Sequence, residues 1–66
     1  MQVFINKRIY VIDGGATVAD ALAAAGMSRP GVAVARGNKV VRKADWNRTV
    51  LTEGDELTVI TAVCGG

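Results

Sequence analysis

The chain has 66 residues and a mass of 6.9 kDa, which leaves room for one small domain. A domain this short buries only about 60% of its unfolded surface, so a deep enzyme pocket is not expected. Half of the residues are hydrophobic and 21% are charged, which excludes disorder, and a net charge of +2 is too mild to argue by itself for nucleic acid.

Gln2 to Asn6 is rich in β-formers and reads as a first strand. Asn6-Lys7-Arg8 is a polar turn, and Ile9-Tyr10-Val11-Ile12 completes an N-terminal hairpin before Asp13-Gly14-Gly15 breaks it. Thr17 then starts a helix of about ten residues. Thr17-x-x-Asp20 has the form of a capping box, with Asp in place of Glu or Gln. Val18, Ala21, Leu22 and Ala25 form one apolar stripe, and Gly26 followed by Pro30 marks the stop. Val32 to Ala35 is a third strand, Arg36-Gly37-Asn38-Lys39 a tight turn, and Val40-Val41 a short fourth strand. Arg42 to Thr49 is a polar excursion that Trp46 pins to the body. Glu53-Gly54-Asp55 is a turn, and Leu57 to Val63 is the longest β-rich run and the final strand.

One sheet with one amphipathic helix to cover it is an α+β arrangement. The order of elements predicts a β-grasp, or ubiquitin-like, roll: a mixed sheet of four to five strands packed on one α-helix. The domain is expected over residues 1–62, with a flexible C-terminal Gly-Gly tail over 63–66. The expected core is Val3, Ile5, Val18, Leu22, Val34, Leu57 and Val59. Strand alternation sends Phe4, Thr58 and Ile60 to the opposite face.

The chain has no histidine and one cysteine, Cys64. A His–Cys metal site, a Ser–His–Asp triad and an internal disulfide are therefore excluded. Gly26 and Gly31 have P-loop spacing, but Val32-Ala33 follows them where Lys-Ser/Thr belongs. Gly14-Gly15 before a helix could hold an anion, and a plain turn is the favoured reading. The six acidic residues are scattered and predict no acid–base pair. Arg36, Lys39, Arg42, Lys43 and Arg48 cluster, either as a docking patch for an acidic protein surface or as ordinary solubility charge. Asn47-Arg48-Thr49 reads as a chance glycosylation tripeptide. The opening Met1–Lys7 segment lacks the ~7–15 apolar residues of a signal-peptide core. No run approaches the ~18 apolar residues of a membrane span, so a cytoplasmic location without membrane or nucleic-acid partners is expected.

Val63-Cys64-Gly65-Gly66 follows the final strand. Four extended residues reach about 13 Å, and two without a Cβ make the tip slim enough for a narrow channel. Such an end suits processing by another enzyme. Its carboxylate is a poor electrophile until a mixed anhydride with AMP supplies a leaving group that a sulfur nucleophile displaces.

In this order, the strand to Asn6, Thr17-Val18, Asn38, Val41-Arg42 before Trp46, Gly54-Asp55 and Gly65-Gly66 resemble the sulfur carrier proteins of thiamine biosynthesis, the ThiS-like family. The resemblance spans the whole chain. It implies that Gly66 is adenylated by an ATP- and zinc-dependent enzyme resembling the ubiquitin-activating class. It further implies that a sulfur donor system converts the adenylate to a thiocarboxylate, and that thiazole synthase accepts the sulfur. The carrier is then a co-substrate, not an enzyme, and binds no cofactor itself. Val63, Cys64, Gly65 and Gly66 would thread the partner's channel, and Phe4 and Ile60 would mark the docking face. Cys64 departs from the family pattern. It is read as a small apolar tail residue, with contact between its thiol and the activated Gly66 carbonyl or a partner persulfide as the functional alternative. Three other roles stay open: the small subunit of molybdopterin synthase or another thiocarboxylate carrier, a ubiquitin-like modifier, and a binding module with a loose tail.

Overall fold

A computed structural model describes residues 1–61. Strand β1 (Gln2–Ile5) turns into β2 (Arg8–Val11) through two residues in left-handed backbone, Asn6 at φ 51° and Lys7 at φ 70°. Positive φ at both central positions is what a type I′ hairpin turn requires, and asparagine tolerates it best among non-glycine residues. The pairing runs Val3 to Tyr10 and Ile5 to Arg8.

Helix α1 (Val18–Ala24) has seven residues, shorter than the ten expected. Thr17 is its N-cap and Ala25 its C-cap, and Gly26 follows at φ 70° as the stop. The capping box is closed: the Asp20 amide donates to Thr17 Oγ1 at 3.3 Å, and the Thr17 amide donates to Asp20 Oδ2 at 3.0 Å. The Val18 and Ala19 amides donate to the carbonyls of Thr49 and Trp46. The first helical N–H groups are thus satisfied from within the chain.

Strands β3 (Val32–Arg36) and β4 (Lys39–Val41) form a second hairpin closed by Arg36 and Lys39. Of its two turn residues, only Gly37 takes positive φ, at 59°. A 3₁₀ turn over Lys43–Asp45 gives the following excursion internal structure. Trp46 is buried there and donates from Nε1 to the Val41 carbonyl at 3.0 Å. The described part of the final strand, β5, covers Glu56–Thr61.

The sheet has five strands in the order β2-β1-β5-β3-β4. Strands β1 and β5 are parallel, and the other neighbours are antiparallel. The β-grasp topology expected from the element order is therefore present. One core gathers Val3, Ile5, Val18, Ala21, Leu22, Val34, Trp46, Leu51 and Leu57 between helix and sheet. Among the described residues, seven fully buried side chains of Val or larger, at about 1.5–3 kcal/mol each, supply the main driving force. Val59 was expected in this core and is only half-buried. The short helix ends before covering it, and a shallow groove bordered by Gly26, Met27, Val32 and Thr61 lies against it.

Candidate functional site

The expected acyl-donor end, Gly66, lies outside the described residues, as do Val63, Cys64 and Gly65. In sequence that end follows β5, the middle strand of the sheet, which pairs with β1 on one side and with β3 on the other up to Val32–Thr61. Asn6 extends the β1 side beyond the end of that strand. Its backbone amide donates to the Leu57 carbonyl at 3.0 Å. Its Oδ1 accepts from the Val59 amide at 2.8 Å, and its Nδ2 donates to the Val59 carbonyl at 3.2 Å.

The second feature is the sheet face turned away from α1. Strand pairing puts Phe4 beside Ile9, Ala33 beside Ile60 and Ala35 beside Val40 on this face. Ile9 and Ile60 are each 58% exposed, while Val11 and Val40 are 77% and 75% exposed. Phe4 is partly covered. Phe4 and Ile60, the two residues singled out from sequence, do share this face. Ile9, Val11 and Val40 belong with them and were missed, because their facing depends on hairpin register. Among the described residues, four of the five exposed large hydrophobics lie here, and the fifth, Val50, sits outside the sheet. An apolar surface this concentrated on so small a domain is a candidate contact surface.

The electrostatics are uneven. Arg36 Nη2 donates to Asp55 Oδ2 at 2.7 Å, and the Thr52 amide donates to the same oxygen at 2.7 Å. Burial raises the Asp55 pKa, but the bonds from Arg36 and Thr52 and the Arg36 charge outweigh it and hold the carboxyl below its ordinary 3.8. Arg48 Nε lies 3.5 Å from Asp45 in an exposed pair. In front of Gly14-Gly15, Asp13 and Asp20 border the depression. An anion site there is disfavoured by those carboxylates and by the occupied helix amides. Among the described residues, no group of three or more Cys, Asp or Glu is placed to hold a metal, and no helix is long and apolar enough to cross a membrane.

A five-stranded mixed sheet over one helix, with the last strand in the middle, defines a ubiquitin-like β-grasp domain. A family model for the ThiS family matches residues 3–66, and the chain belongs to that family. The crystal structure of the thiamine biosynthesis protein ThiS from Geobacter metallireducens superposes with a TM-score of 0.79 at 22% identity, over 100% of both chains. That likeness carries the fold, and the family match supports a sulfur-carrier role in thiamine biosynthesis. No curated protein matches the chain.

Proposed function

We propose that this chain carries sulfur for thiamine biosynthesis as a thiocarboxylate on Gly66. The observation that carries the reading is the family match, which runs through Gly65 and Gly66. In the first step the Gly66 carboxylate attacks the α-phosphorus of ATP, forming an acyl-adenylate and releasing pyrophosphate. A sulfur nucleophile from the donor system then adds to the acyl carbon and AMP leaves, which gives the thiocarboxylate. Thiazole synthase receives that sulfur, and the carboxylate returns for another cycle. The chain acts as a recycled co-substrate. ATP and zinc belong to the activating enzyme, which resembles the ubiquitin-activating class.

The slim end, Val63 to Gly66, threads the partner's channel while the face bearing Phe4 and Ile60 docks on its rim. Both partners use the same end, so they bind in turn. Location in the cytoplasm follows from the same reading, since ATP and a reducing environment are needed together.

The test is intact mass after incubation with the activating enzyme, ATP and a sulfur source. Exchange of one terminal oxygen for sulfur is the expected result. Adducts on target lysines in its place would make the chain a modifier. An unchanged mass with a competent enzyme overturns the reading. Rescue of a thiamine auxotroph separates the thiazole role from that of a molybdopterin synthase subunit. Running the mass assay on Cys64→Ser assigns the thiol: an unchanged loading rate leaves Cys64 as a small apolar residue of the tail.

A further inference from the structure

The charge of this chain is concentrated at one edge of the sheet. Between residues 36 and 48 there are five basic side chains and one acidic one, against three basic and five acidic in the remainder. The fold gathers them further. Arg36, Lys39, Val40, Asp45 and Arg48 border one shallow depression along edge strand β4. Lys39, Arg42, Lys43 and Arg48 are all exposed. Among the described residues, Lys39, Arg42 and Lys43 make no ion pair, and Arg48 has only its loose contact with Asp45.

These charges do not sit on a loose loop. Trp46 is buried beneath the segment and bonded to the Val41 carbonyl, and Thr49 Oγ1 donates to the Asp45 carbonyl at 2.8 Å. The Trp46 and Thr49 carbonyls are in turn held by the α1 amides. Like charges held on one anchored edge repel, and a predominantly positive edge is suited to an opposite surface. Val40 places the array: it lies in the depression and also on the apolar face away from α1. A protein covering that face therefore meets the basic edge as its rim.

We propose that Lys39, Arg42, Lys43 and Arg48 form a steering strip for an acidic surface on the activating enzyme that takes this chain's end. The proposal rests on the sulfur-carrier reading for the identity of the partner. Its contribution is to encounter, since rim charges act mainly on the association rate.

The test measures association of the full chain with the activating enzyme by stopped flow, from about 50 to 300 mM salt. The variant reverses the four charges (Lys39→Glu, Arg42→Glu, Lys43→Glu, Arg48→Glu), and a second set neutralises them to Gln. The parent's association rate is expected to fall steeply with salt. The reversed variant should associate at least about tenfold more slowly at low salt, the Gln set in between, with adenylate formation at saturating carrier unchanged. Urea midpoints within error of the parent establish that both variants are folded, and the Gln set decides the matter if the reversed one is not. Equal rates for parent and variants overturn the strip. So does binding of a DNA duplex, or of phosphatidylserine vesicles, that the substitutions abolish while enzyme association persists. If the parent associates in this salt-dependent way and yet never gains sulfur, the strip stands and the carrier reading fails.

Discussion

Asn6 pairs with Val59 through its side chain: the carboxamide accepts from the Val59 amide and donates to the Val59 carbonyl, as a peptide unit would. At φ 51° the main chain of Asn6 has already turned away into the hairpin. The side chain therefore stands in for the next residue of β1 and continues the parallel ladder along β5. Two demands meet at one position, left-handed backbone and an amide-like side chain, and asparagine satisfies both. Asn6→Gly keeps the backbone freedom and loses the two bonds, costing about 1–2 kcal/mol. Asn6→Ala adds the left-handed penalty, about 1 kcal/mol more. Urea midpoints should rank parent, Gly, Ala, and hydrogen exchange should show lost protection at the Val59 amide in both variants. Unchanged Val59 protection would sink this account.

The Arg36–Asp55 pair predicts an acid-sensitive term. The folded Asp55 carboxyl binds its proton more weakly than the unfolded one, so its stabilisation is complete above the unfolded pKa of 3.8 and is lost as pH falls through the lower folded value. Asp55→Asn should cost about 1 kcal/mol at pH 7, a modest figure because the partly open Arg36 is screened by solvent. The gap between parent and variant should narrow below about pH 4. Midpoints at pH 7, 5 and 3 check it, and a gap independent of pH would rule the ion pair out as its source.

Trp46 is the only tryptophan, so its fluorescence reports directly on the basic excursion. Trp46→Phe removes the Nε1 bond to the Val41 carbonyl and should cost about 1 kcal/mol. Trp46→Ala opens a cavity at about 3–5 kcal/mol, a large share of the total for a domain this small. Thermal unfolding measures both. The α1 amides should also exchange faster, because the Trp46 carbonyl bonds Ala19.

The exposed sheet face separates stability from binding. Ile60→Arg and Ile9→Arg change side chains that are more than half exposed, and each should shift stability by no more than about 0.5 kcal/mol. Binding to the activating enzyme and to thiazole synthase should fall sharply for both, as for Phe4→Arg. Pulldown of each purified partner, beside an unfolding curve, gives the comparison, and undiminished binding of both partners would move the docking face elsewhere.

Much of this architecture is legible in the chain because its local signals agree. Thr17 and Asp20 announce the helix start through chemistry confined to four residues, and the structure closes that box. Asn6-Lys7 and Gly37 mark reversals for the same local reason. Residues whose role depends on distant partners are harder to read. Leu51 is 2% exposed, yet it lies in no periodic run; its amide bonds the Ala16 carbonyl beside the helix start and its side chain joins the core. Val59 obeys strand alternation and still escapes full burial, since helix length decides coverage. Ile9, Val11 and Val40 sort onto one face only once both hairpin registers are known. The side-chain pairing of Asn6 has no signature beyond a turn-forming asparagine.

The middle position of β5 has a mechanical corollary. A strand at a sheet margin can be peeled off one bond at a time, whereas β5 is flanked on both sides by hydrogen-bonded neighbours. Traction applied to the residues after Thr61 is spread as shear over both ladders together with the Asn6 clasp. Pulling on the chain beyond Thr61 therefore loads two ladders at once instead of unzipping one margin.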